Sequence, residues 1–187
     1  MSLKRLLSLT LAAAALGACS GGVVRLQSEV APTTYDHLNF NLYHAERDTK
    51  VDVHGNPFNM DGAAFARAVT NHMQGANVGQ PTNFTTAPGP SAERNMRVVM
   101  AFNIEADGYD LCTARSFRPR GRSDQLTLKA AWCFGDRQDS TVVAYVHGAR
   151  SVNDPAFHEL VDQTVMNLFP THMDSELLRD NGGGRRN

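Results

Sequence analysis

The chemistry-bearing residues of this chain are seven histidines, three cysteines and a short crowd of arginines, and none falls into a spacing that names a reaction. Asp52 and His54 stand at i and i+2, so on an extended segment their side chains share a face; Asp36, His37 and His44 lie just upstream. A catalytic zinc site needs three ligands and an open position, and no tight histidine or carboxylate spacing here supplies them. The expectation is no metal and no cofactor. His72 then reads as a packing residue on the apolar edge of a helix and His147 as its equivalent at a strand end. No G-x-S-x-G elbow is present, and Ser91, Ser116 and Ser140 stand in loop or turn contexts. The chain is therefore expected not to be an enzyme. A hydrolase built on spatially paired carboxylates stays as the lesser alternative, because such pairing leaves no mark in sequence.

Two sets of residues suggest binding instead. Arg115, Arg118, Arg120 and Arg122 crowd one short stretch, interrupted by Phe117 and Pro119. Guanidinium forks recognise phosphate and carboxylate bidentately, so this is a candidate anionic docking site, set against the plainer reading of a solvated, charge-balanced loop. Residues 76–95 are rich in Gly, Pro, Asn, Thr and Ser, with Val78 and Phe84 as the sizeable apolar residues. Loops of that length are uncommon in compact domains unless functional or disordered. Gln80, Asn83, Thr85 and Thr86 would offer neutral hydrogen bonds to a small molecule or glycan, with Phe84 as a stacking platform.

The N-terminus gives an address. Lys4 and Arg5 precede an apolar and small-residue run, Leu6 to Leu16, too short to span a bilayer as a helix and charged like an export signal. It closes on Leu16-Gly17-Ala18-Cys19, which resembles the lipobox of bacterial lipoproteins. The resemblance implies that residues 1–18 are a signal peptide and that Cys19 becomes the acylated first residue. Three acyl chains, usual in that family, suffice for stable anchoring. Ser20 stands where Asp would resemble the inner-membrane retention signal. The implied anchor is thus the outer membrane with the domain in the periplasm, or the cell membrane where the source has no outer membrane. Loss of the leader turns a balance of 18 basic to 19 acidic residues into 16 to 19, which gives no reason to expect nucleic acid as a partner.

With Cys19 assigned to lipid, Cys112 and Cys133 remain. An even pair in an exported protein reads as a disulfide, and neither residue has the close neighbour that a metal or redox motif requires. Runs near 109–118 and 125–134 flank Gly121-Arg122-Ser123-Asp124, and a hairpin centred there sets Cys112 opposite Cys133. The same register places Leu111, Phe117, Leu128, Trp132 and Phe134 on one face, with Trp132 beneath the bridge.

The remaining pattern predicts the elements that carry these residues. Residues 19–37 read as a lipidated tether, and Leu38, Phe40 and Leu42 alternate as in a strand. Val51 and Val53 extend to a turn at Gly55-Asn56-Pro57, and a helix capped by Asn59 or Asp61 carries Phe65, Ala68, Val69, His72 and Met73 to Gly75. A strand follows with Val98, Met100, Phe102 and Ile104 on one face and a turn at Asp107-Gly108. Another strand, Thr141 to Gly148, pairs back across residues 135–140. Asp154 caps a final helix with Pro155 at its first position; Phe157, Leu160, Val161, Thr164, Val165 and Leu168 form its stripe, and Pro170 ends it.

The expected fold is α+β: an antiparallel meander with two helices packed on one face, as a single domain over residues 38–170, followed by a disordered tail, 171–187. This order resembles the small periplasmic domains of accessory and assembly lipoproteins, an architectural likeness without a motif. The expected function is non-enzymatic: an envelope lipoprotein joined to a membrane by its lipid and working in envelope assembly, transport or maintenance through a protein partner. The rival is a ligand-binding module using loop 76–95.

Overall fold

The structure, a computed structural model, describes residues 24–30, 35–105, 111–114, 116–121 and 124–171. Cys19, the signal segment, Arg115, Arg122, the Asp107-Gly108 turn and the tail beyond residue 171 lie outside the described residues. In chain order the elements are β1 (Arg25–Val30), α1 (His37–His44), β2 (Asp48–His54), α2 (Gly62–Met73), β3 (Asn83–Thr85), β4 (Met96–Phe102), β5 (Ile104–Glu105), β6 (Arg118–Pro119), β7 (Gln125–Phe134), β8 (Arg137–His147) and α3 (Pro155–Leu168).

Six strands form one mixed sheet in the order β1-β8-β7-β4-β2-β3, and β5 pairs separately with β6. The run β1-β8-β7-β4 is antiparallel, whereas β2 is parallel to both β4 and β3. The expected strict meander is corrected here. The crossover that makes β2 and β3 parallel is α2, an apolar-striped helix of the kind parallel strands require between them. Residues read as tether supply β1, which lies along β8 with Arg25 opposite Tyr145.

Alternation on β4 separates two cores. Val98, Met100 and Phe102 meet Phe40 of α1, Phe65, Val69 and Met73 of α2, and the α3 stripe in the main core. Val99 and Ala101 join Ile104, Leu111, Cys112, Ala131 and Cys133 in a smaller core on the opposite face. Ile104 was expected beside Phe102. Asn103 between them has φ 48°, a left-handed residue that breaks the alternation and turns Ile104 to the other face.

Helices α2 and α3 form as their signals predict. Asp61 Oδ1 accepts from Ala64 N at 2.8 Å, Asp154 Oδ1 from Ala156 N at 3.0 Å, and Gly75 takes φ 74° just beyond α2. The expected strand at Leu38, Phe40 and Leu42 is instead α1, capped by Asp36 Oδ1 accepting from Leu38 N at 2.9 Å. Over so few residues alternation and helical spacing coincide: Phe40 and His44, four apart, are buried, and Leu38 and Leu42, also four apart, face out.

The expected hairpin between 109–118 and 125–134 does not form. β7 is buried along both faces and lies between β4 and β8, with Cys133 opposite Arg97 on one side and Gln138 on the other. The turn into β8 takes only Gly135 and Asp136. Segment 111–114 docks on the second face, where Cys112 and Cys133 form a disulfide with Cα atoms 5.6 Å apart. Arg97 fastens the same segment: Nη2 donates to the Cys112 carbonyl, Nη1 to Gly135 O at 2.7 Å, and Nε pairs with Asp52 at 3.4 Å. Trp132, one residue before Cys133, therefore faces the helices and not the bridge. Leu111 and Phe117 sit in the second core, Leu128 in the first, and Phe134 is exposed.

Candidate functional site

Helix α1 and loop 76–95 together make the most differentiated part of the surface. One side of α1 is driven inward by Phe40, whose ring lies 4.1 Å from that of Phe169 and 5.9 Å from Trp132. Behind it, His44 closes a chain of buried polar groups. Trp132 Nε1 donates to His44 Nε2 at 3.1 Å, and since an indole nitrogen only donates, Nδ1 carries the histidine proton. That proton is donated to Thr49 Oγ1 at 2.8 Å, Thr49 bonds Thr82 Oγ1 at 2.7 Å, and Thr82 donates to Arg47 O at 2.9 Å. Burial, helped by the Arg47 charge, pushes the His44 pKa down to about 4, so the ring is neutral at neutral pH. This network joins α1, β2, the approach to β3 and β7 in one polarity, and sequence reasoning missed it.

The outward side of α1 presents Leu38, 73 % exposed, and Leu42, 65 % exposed, one helical turn apart. Beside it runs the start of the loop: Gly79, at φ 106°, comes so close that a β-carbon there would lie 3.0 Å from His37 Nε2 and 3.2 Å from Asn41 Oδ1. Glu46 N donates to Pro81 O at 2.7 Å, closing the loop onto the end of the helix.

Loop 76–95 is fastened by its own polar residues. Asp48 accepts from Asn83 Nδ2 at 2.7 Å and from Gly89 N at 2.6 Å, and its own N–H donates to Ser91 Oγ at 3.1 Å. The Asn83 and Gly89 hydrogen bonds hold the Asp48 carboxyl below the usual carboxylate range. Gln74 Nε2 donates to Phe84 O at 2.7 Å, and Phe84 itself is buried against Phe169. The expected ligand set is corrected accordingly: Phe84 has no free face for stacking, Asn83 is engaged by Asp48, and Thr85 Oγ1 accepts from Ala87 N at 3.1 Å. Gln80 and Thr86 are exposed. The apolar residue in a polar loop was an anchor.

Other candidates are dispersed. The His54 ring lies tilted against that of Phe117, centroids 3.9 Å apart, on the second face, and burial lowers its pKa. Asp52 pairs with Lys50 at 3.2 Å as well as with Arg97. His72, lowered chiefly by burial and then by His158, holds Val152 O at 3.0 Å as a packing residue. His147 is exposed, 3.8 Å from Asp124. Among the described residues no group of three histidine, cysteine or acidic side chains could hold a metal ion, and no helix is long and apolar enough to cross a membrane. Of the arginine crowd, Arg118 lies exposed on β6 opposite Glu105, and Arg120 follows it, exposed and fastened by its N–H to Asn103 O at 2.7 Å.

No family model and no curated protein matches this chain. Among solved structures it is similar to a PelC dodecamer from Paraburkholderia phytofirmans, 9 % identical, with a TM-score of 0.42 over 80 % of this chain and 100 % of that one. Likeness of that degree supports no inference about function.

Proposed function

We propose that this chain is a non-enzymatic, lipid-anchored module of a bacterial cell envelope, acting in its assembly, transport or maintenance through contact of the folded domain with another protein. The observation that carries the contact reading is α1. A helix anchored in the core by Phe40 and His44 holds Leu38 and Leu42 out as a fixed apolar ridge. The Cys112–Cys133 bridge supports export, because such bonds persist in oxidising compartments. Leu16-Gly17-Ala18-Cys19 supports a lipid at Cys19, and Ser20 supports an outer-membrane address.

Two measurements test the proposal. The wild-type chain fractionates with the outer membrane and Cys19→Ala is released; recovery of the wild type in the inner-membrane or soluble fraction refutes the anchor. A photo-crosslinking residue at position 42 captures one dominant protein in cells, and capture falls when Leu38 is replaced by Asp. No adduct, or one indifferent to that change, refutes contact through α1.

A further inference from the structure

At one pair of neighbouring parallel strands the chain leaves to opposite faces of the sheet. β2 and β4 run side by side, Val53 opposite Met100 and His54 opposite Ala101. From the end of β2 the chain passes to α2 on the main-core face; from the end of β4 it passes through Asn103 to Ile104 on the second face. In open sheets with parallel strands, such a divergence leaves a crevice beyond the carboxyl ends, and ligands bind there.

The crevice is present and has two lobes. The larger, about 430 Å³, lies between Pro57 and Pro119, with Gly55, Asn56 and Asn103 around it; the smaller, about 280 Å³, continues it past Pro57 and Asn103 towards Phe58 and Leu126. Volumes in this range suit small ligands. The walls are held in shape. Asn56 grips Met60 twice, donating to its carbonyl at 2.6 Å and accepting from its N–H at 3.2 Å. Asn103 accepts from Thr127 N at 2.9 Å through its side chain and donates its own N–H to Thr127 O at 2.9 Å. Three rim residues hold left-handed backbone, Gly55 at φ 80°, Asn59 at 53° and Asn103 at 48°. At Gly55 any β-carbon would collide with the Phe102 carbonyl. Left-handed non-glycine residues cost energy and gather where a site needs a particular shape.

Charge selects the ligand. Among the residues lining the larger lobe Arg120 alone is charged, and among the described residues no acid pairs with it. In the smaller lobe Arg150 is accompanied by Asp124, so that end is balanced. We infer that this crevice binds a small amphipathic anion, its carboxylate or phosphate head on Arg120 and its apolar body against Pro57 and Pro119. The site is separate from the α1 ridge and does not rest on the contact reading.

The test titrates the full, isotope-labelled chain in detergent with butanoate, butyl phosphate and butanol. At least one of the two anions moves the amide signals of Gly55, Asn59, Asn103 and Arg120 saturably, the tighter one naming the head group, and butanol leaves them in place. Arg120→Gln weakens anion binding by about tenfold or more, the usual scale for a lost charged hydrogen bond, and Arg118→Gln leaves it unchanged. Absence of saturable movement with both anions, equal binding of butanol, or equal weakening by the two arginine variants overturns the assignment.

Discussion

Acidification should destabilise this domain through His44, and the chain carries its own reporter. Its single tryptophan, Trp132, is buried and donates to the His44 ring. In the folded state burial holds the imidazole near a pKa of about 4, against 6.5 for the exposed group of an unfolded chain. Between those values the unfolded chain binds a proton that the native ring refuses. Stability contributed by neutral His44 is thus complete above pH 6.5 and is lost as pH falls towards 4, at about 1.4 kcal/mol per pH unit and about 3 kcal/mol over the whole window. Protonation would also set a second donor against the Trp132 N–H, which explains the direction structurally. Urea unfolding followed by Trp132 fluorescence at a series of pH values measures the slope. In His44→Gln the slope across that window should flatten, while stability at neutral pH falls by about 1–3 kcal/mol from the disturbed buried network. Parallel pH profiles for wild type and variant would refute the reasoning, because the acid sensitivity would then belong to other groups.

Cys133→Ala should cost about 2–5 kcal/mol in the same urea assay and leave Cys112 open to alkylation without reductant, while membrane fractionation is unchanged. Phe40→Ala should cost about 3–5 kcal/mol, since the residue is fully buried on α1; a loss below 1 kcal/mol would contradict its place under Trp132 and Phe169. Asp48→Ala should speed amide hydrogen exchange at Gly89 and leave α3 amides unaffected; unchanged protection of Gly89 would mean the carboxylate does not hold the loop. Asp154→Ala should lower stability by about 1 kcal/mol, read as a lower urea midpoint.

Where a signal is local and chemical, it was readable. Asp61, Asp154 and Pro155 mark helix starts by backbone geometry alone, and Cys112 and Cys133 are bonded, as the even pair left beyond Cys19 implied. Readings that needed to know which segments are neighbours failed. The hairpin register placed Cys112 across from Cys133 for a reason the structure does not use: β7 is a central strand, and Cys112 approaches it from above the second face. Phe117-Arg118-Pro119 could not become a long partner strand, since proline removes a ladder donor and Phe117 turns into the small core. α1 was ambiguous because eight residues cannot separate a period of 2 from one of 3.6. Of the candidate site, Gln80 and Thr86 are exposed, but Phe84 was misread, because a polar loop long enough to need an anchor buries its apolar residue. The His44 network left no mark beyond the Phe40–His44 spacing behind Asp36.

The pairing of β1 with β8 changes how far the domain can travel. Had residues 19–37 been free chain, a lipid at Cys19 would leave the domain a leash of about 60 Å. Because Arg25 is already in the sheet, opposite Tyr145, only six residue steps separate it from Cys19, and these span about 20 Å at full stretch. The sheet is then held by one outer strand, with β3 and its loop at the other margin, five strand spacings or about 24 Å away. With the proposed lipid at Cys19 the module would patrol a thin layer along its membrane, and the proposed partner of α1 would have to reach into that layer.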